Sequence, residues 1–323
     1  MHTIIYRNSS GAITRNLAVD DIKTALIDLG GLLWVDISDP ATDEWKKILV
    51  DVFNFHPLAV EDAIQDVNHP KVDDYGDYLY LVVHGVRMDQ GSHYFKTEEL
   101  DIFIGKNYVL TFHYSVNSSI DECIAHFQKD DRHFMTGPDM LLAGLLEQLM
   151  DRYMLLMDNL DAELEALEDD AVKNPGIEML ERIIDLRHSI SNLRRVVGPQ
   201  RETIGKLSRG DFNLLSEKSR PYFRDVYDTA VRLIDIIETE RDIAAGLLEI
   251  NLSVASNKLN EIMRILMVVT VIIMPLTLIT GIYGMNVKLI PMAESEWGFA
   301  TVIVSMTMIA IGLALYFRRK HWL

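Results

Sequence analysis

The chain has 323 residues, 49% of them hydrophobic, and a formal net charge of −17. That balance argues against a nucleic-acid-binding face, which needs clustered positive charge. The single cysteine, Cys123, rules out an intrachain disulfide and a thiolate metal cluster, and fits a reducing compartment. The charge is unevenly spread. From Ile265 onward there are only four of the 31 basic and two of the 48 acidic residues, so residues 1–264 carry 27 basic and 46 acidic groups, a net of −19. An acidic water-facing region therefore precedes a nearly charge-free one. Acidic surfaces suit cations, or simply keep a large domain in solution.

The start, Met1-His2-Thr3-Ile4-Ile5, has no basic stretch before an apolar core, so no signal peptide is expected. Residues 1–137 are expected to form a mixed α/β domain. Leu32–Ile37, Tyr78–Val86, Glu99–Ile104 and Tyr108–Tyr114 are rich in β-formers and bounded by Gly, Asp and Asn. Lys106-Asn107 reads as a tight turn between the last two. Ala41–Phe53, Pro57–Gln65 and Ser119–Lys129 read as helices. From Pro138 the apolar spacing becomes helical, and residues 138–210 are expected to form a helical coiled segment. Asn174-Pro175-Gly176 is a turn, Gly198-Pro199 a kink and Arg209-Gly210 a break. A stalk helix over 211–264 follows. Its segment starts near Pro221 and meets no proline until Pro275; helical to Asn286, it would be ~100 Å long at ~1.5 Å per residue.

Enzyme chemistry is not expected. The sequence has no P-loop, no dinucleotide fingerprint, no H-E-x-x-H and no G-x-S-x-G. His56, His84, His113 and Cys123 are scattered and read as structural.

Two uncharged runs, Ile265–Val287 and Gly298–Phe317, are each long enough to cross a bilayer. They predict a first span over 265–287, an outer loop over 288–297, a second span over 298–317 and a basic tail over 318–323. Arg318, Arg319 and Lys320 in the tail place both termini in the cytoplasm, in a cell (inner) membrane, by the positive-inside rule. Trp297, Tyr316 and Trp322 sit where interfacial anchors belong.

Asn260, Met263, Met267, Thr270, Met274, Thr277, Gly281 and Gly284 recur in alternating steps of three and four, so they share one helix face. Small, weakly polar residues on one face of a span mark either a helix–helix contact or a water-lined path. The face has no ionisable group. Magnesium dehydrates reluctantly, so amide and hydroxyl contacts to its water shell suit it. Packed methionines can narrow a path and exclude water. Two spans cannot enclose a pore, so this reading requires an oligomer.

Gly284-Met285-Asn286, preceded by Tyr283, closes the first run just before a short acidic loop. With it go Pro221–Asp228, Ser256–Met263, Met274-Pro275-Leu276-Thr277, His56–Asp62 and Pro70-Lys71-Val72. On these motifs the chain resembles the CorA family of divalent-cation channels. The resemblance implies a homopentamer with an α/β cytoplasmic funnel, a long stalk helix and a five-fold pore in the lipid bilayer. It implies passive Mg2+ influx, with Co2+ and Ni2+ as further cargo, and Asn286 meeting the hydrated ion at the outer mouth.

The resemblance also implies gating by intracellular Mg2+ bound between subunits at Asp62, beside Glu61, and Asp225. The alternative is that Asp225 pairs with Arg224 or caps a helix, and that Glu61-Asp62 is a solvated first turn. Asp161 and Glu165, four apart on a helix, are a further candidate site or part of a solvated acidic face. Glu249 matches an acidic position at the inner mouth. Many members carry Met-Pro-Glu-Leu in the outer loop; here the proline is Pro291 and the glutamate is displaced, leaving Glu294 or Glu296 to attract cations. The rival functions are a ZntB-like zinc transporter of the same architecture and a non-conducting membrane-anchored sensor or scaffold.

Overall fold

The computed structural model describes residues 2–38, 44–65, 69–88, 95–114, 120–121, 123–125, 136–173, 177–285 and 297–322. The chain divides into two compact units. The first comprises residues 1–170 and 178–248, and the second residues 171–177 and 249–323.

The first unit opens on a mixed sheet. Its strands are β1 (His2–Arg7), β2 (Ile13–Arg15), β3 (Leu32–Ser38), β4 (Lys71–Asp74), β5 (Leu79–Met88), β6 (Phe95–Ile104) and β7 (Tyr108–His113), in the order β2-β1-β3-β7-β6-β5-β4. Only β3 and β7 pair in parallel. These two are buried almost throughout, as central strands covered on both faces must be, and the buried polar Thr111 and His113 both bond to the buried Asp36. The short strands β2 and β4 form the edges.

Three helices cover one face of the sheet: α1 (Ile22–Ile27), α2 (Glu44–Lys46), which continues as a π turn over Lys47–Val52, and α3 (Pro57–Gln65). The expected helix Ala41–Phe53 thus includes a wider turn, with Ile48 and Leu49 directed into the core. Helix α3 starts on proline, whose fixed φ suits the first helical position, and His56 Nδ1 accepts the Leu58 amide at 3.2 Å. Phe55 stacks on Phe103 with ring centroids 4.2 Å apart, which holds this helix start on the sheet.

The long helices are α4 (Pro138–Lys173), α5 (Ile177–Arg209) and α6 (Arg220–Tyr283). Each buries one residue per three-four step: Leu146 to Leu167 on α4, Met179 to Leu207 on α5, and Phe223 to Leu247 on α6. That is the spacing of interlocking helices in a coiled-coil-like bundle. Helix α5 passes through Gly198-Pro199 without a break and ends at Gly210, whose φ of +77° suits the residue after a helix. The expected turn at Asn174-Pro175-Gly176 and most of the expected helix Ser119–Lys129 lie outside the described residues.

Two of the seam residues are polar: Gln200 on α5 and Glu240 on α6. Gln200 Oε1 accepts the His84 amide at 2.8 Å, and the Tyr153 hydroxyl donates to the His84 carbonyl at 3.1 Å. Strand β4 pairs with β5 only over Leu79–Val82. The helices therefore satisfy the first main-chain groups that β4 leaves open.

The second unit contains the remainder of α6 and α7 (Gly298–Arg319). Both helices are long and apolar enough to span a membrane, with mean hydropathy 2.6 and 2.1 over their most apolar windows.

Candidate functional site

Along the apolar part of α6 only Val268 is fully buried; Ile272, Pro275, Leu276 and Ile279 are half-buried. These five share one side, and α7 is the apolar helix of the same unit that can cover them. At ~100° per residue, Thr270, Met274, Thr277 and Gly281 point about 180° away. They are exposed and line an open groove of 710 Å³ together with the apolar Val269, Ile273, Leu278, Ile282 and Met285. Met263 and Met267 continue the same exposed face toward the helix start, as does Asn260. The Pro275 ring is on the covered side, away from the groove. Large apolar side chains are exposed all round this helix, including Ile265, Leu266, Val269 and Ile273. Exposure on that scale in water is rare, and it calls for lipid or further copies of the chain.

The groove's hydroxyls are polarised in one direction. Thr270 Oγ1 donates to the Leu266 carbonyl at 2.8 Å, and Thr277 Oγ1 to the Ile273 carbonyl at 3.1 Å. Each proton is spent on the backbone, so each oxygen offers lone pairs outward. A hydrated cation presents water protons, which match those lone pairs. The helix closes with the Gly284 amide on the Thr280 carbonyl at 2.9 Å and the Met285 amide on the Ile282 carbonyl at 3.2 Å. Asn286, Glu294 and Glu296 lie outside the described residues.

In the first unit, Asp62 is half-buried on α3 and its carboxylate pairs with Lys71 at the start of β4. Lys71 also pairs with Asp73 at 3.1 Å. Glu61 is exposed and accepts a hydrogen bond from Gln65 at 3.1 Å. Asp225 is exposed on the first turns of α6, and no basic side chain pairs with it among the described residues. Facing it from α4 are Glu147 and Asp151, which the sequence reading missed. Partial burial raises both carboxyls above their ordinary range; at Glu147 repulsion from Asp151 and then Asp225 adds to the shift, while at Asp151 nearby Arg232 opposes it and Asp225 adds to it. The i, i+4 spacing of Glu147 and Asp151 was visible in the sequence, but their meeting with Asp225 was not.

Asp161, Glu165 and Glu249 are exposed. Asp161 lies near the buried Glu240, whose carboxyl is raised by burial first and by Asp161 second. Among the described residues, no three His, Cys, Asp or Glu side chains of one chain converge closely enough to hold a metal.

The histidines sit in the framework. His113 is buried against Asp36 at 3.2 Å. Burial pushes His84 down to about 4. Burial pushes the Cys123 thiol up to about 12, so it is not a nucleophile at neutral pH.

A water-facing domain whose last helix continues as an apolar span with an uncharged, oxygen-bearing face defines a membrane ion transporter with two spans per chain. Residues 30–319 match the family model described as CorA-like Mg2+ transporter protein. The chain belongs to this family, whose members are transporters and not enzymes, and it is a CorA-family divalent-cation transporter. It is 34% identical over 313 residues to the cobalt/magnesium transport protein CorA of Thermotoga maritima, covering 96% of this chain and 89% of that protein. It is 21% identical to a zinc transport protein ZntB of Yersinia enterocolitica, covering 83% and 81%. The complete structure of the CorA magnesium transporter from Methanocaldococcus jannaschii superposes with a TM-score of 0.85 at 26% identity, covering 99% of this chain and 98% of that one.

Proposed function

We propose that the protein is a homopentameric channel for passive Mg2+ influx, with Co2+ and Ni2+ as further cargo. It sits in the cell membrane with both termini cytoplasmic. The observation that carries this reading is the uncharged groove on α6, opposite the covered side, whose hydroxyl oxygens point outward. Five such faces around an axis form a path that contacts an ion through its water shell, which suits the reluctance of magnesium to dehydrate. The most similar of the relatives described above carries cobalt and magnesium in its name, and the Gly284-Met285-Asn286 triplet is present here.

Intracellular Mg2+ holds the channel closed by binding between subunits. Carboxylate oxygens are the right donors for a hard cation. Asp225 carries the free charge and has Glu147 and Asp151 beside it. A second copy supplies the remaining ligands.

Flux into liposomes tests the function. Mg2+ entry should follow the membrane potential and be indifferent to a proton gradient. Zn2+ entry that exceeds it and depends on the proton gradient would make the protein a zinc transporter, and no flux of either ion would make it a sensor or scaffold.

The groove has its own test. Met274→Ala and Thr277→Ala should each change conductance by about threefold or more, whereas Ile272→Ala and Ile279→Ala, on the covered side, should leave it within about twofold. Equal effects from the two pairs would make the groove a packing surface.

A further inference from the structure

Between α5 and α6, within the first unit, a groove of 540 Å³ is lined by four arginines: Arg194, Arg195, Arg201 and Arg241. Glu238 is the one carboxylate in the lining. The lining thus has a formal charge of +3, in a chain whose net charge is −17. Glu238 is already taken by Arg194 at 2.8 Å, and Arg241 leans on its neighbour Asp242 at 3.1 Å. Arg195 and Arg201 pair with no carboxylate among the described residues. A chain with 48 acidic side chains has left two guanidinium groups together without one.

We propose that this groove binds a di- or triphosphate group. The planar guanidinium fork matches phosphate oxygens in bidentate fashion and is more weakly hydrated than an ammonium. Ser191 adds a hydroxyl donor at one end. The volume lies within the range of small-molecule sites and exceeds what a single phosphate fills. No aromatic ring lines the groove, so nothing there stacks a nucleobase; the site reads the phosphate chain and not the base.

Gly198 keeps the groove open. It lies four residues after Arg194 and three before Arg201, on the same face of α5. A Cβ added at Gly198 would meet nothing within 4 Å, so a side chain there fits the fold and projects into open space.

Titration calorimetry on the full-length protein in detergent, in Mg2+-free buffer, tests the proposal with pyrophosphate, ATP, adenosine and sulfate as probes. Pyrophosphate and ATP should bind within about threefold of each other, sulfate about tenfold more weakly, and adenosine not at all. Arg195→Gln with Arg201→Gln should weaken pyrophosphate binding by about tenfold or more. Gly198→Leu should do the same with every charge retained, while Arg182→Gln, on the opposite side of α5 where Arg182 pairs with Glu163 of α4, should change nothing. Circular dichroism and elution volume check that each variant is folded.

No saturable heat at about 5 mM pyrophosphate would overturn the proposal. So would wild-type binding in Gly198→Leu, which would show general attraction to an arginine-rich surface and no built groove. ATP binding tenfold tighter than pyrophosphate would also overturn it, because the base would then be what the site recognises.

Discussion

Asn286→Ala should cut magnesium flux to about a hundredth of wild type or less, with assembly and melting temperature unchanged. A hydrogen bond to a charged group contributes about 1.5–3 kcal/mol, and each tenfold in rate corresponds to about 1.4 kcal/mol. In a symmetric assembly one substitution removes an amide from every subunit at once. Helix α6 closes at Gly284 and Met285, so the next residue follows directly on the end of the span. An amide there offers both donors and an acceptor to an ion that keeps its waters, and alanine offers neither. Dye-reported Mg2+ uptake into liposomes is the measurement, and wild-type rates in an assembled Ala variant would remove Asn286 from the ion path.

Asp225→Asn should raise the Mg2+ concentration needed to close the channel by about tenfold, and Asp62→Asn should raise it less. The ordering comes from the pairing within one chain. The Asp62 carboxylate is partly neutralised by Lys71, so a cation must compete with an existing partner. Asp225 is exposed and beside two further carboxylates, and among the described residues no basic side chain forms a salt bridge with it, although Arg232 is near Asp151. Where like charges crowd, a divalent cation relieves repulsion as well as gaining attraction. Binding must differ between closed and open states for the ion to shift the balance.

Acid should act in the same direction as the Asn variant. Burial above all, with repulsion from neighbouring carboxylates and against the pull of Arg232 on Asp151, raises the Glu147 and Asp151 carboxyls, so they take up protons at a higher pH than ordinary acids do. Protonation discharges the site, and Mg2+ inhibition should weaken on acidification. The readout is Mg2+ inhibition of current together with protease resistance of the first unit. Unchanged curves in both variants would show that the sensor lies elsewhere.

The central strands, α3, and the long helices from Pro138 onward were legible in the sequence because their periods are carried by many residues. Ile177–Arg209 ends at the expected break, and Arg220–Tyr283 begins within one residue of Pro221 but nine residues after 211, where the stalk was expected to start, because residues 211–219 form turns. Strands β1, β2 and β4 were not anticipated. The three residues of β2 and the Lys-Val-Asp-Asp of β4 carry too little pattern of their own, and their partner strands supply the pairing. The shared face of Thr270, Met274, Thr277 and Gly281 was legible because helical geometry alone fixes it. The neighbours of Asp225 were not, because Glu147 and Asp151 come from a helix more than seventy residues away. The partner of Asp62 is only nine residues off, but across a turn that no helical or strand period describes.

Strand β5 is sealed just past the end of β4: Gln200 and Tyr153 occupy the main-chain groups of His84 that a further strand would use. A second copy therefore finds no open rung to zip onto at that point. Any contact a second copy makes at that rung is left to side chains and ions, which part and rejoin as ions come and go, where a shared sheet would be close to permanent.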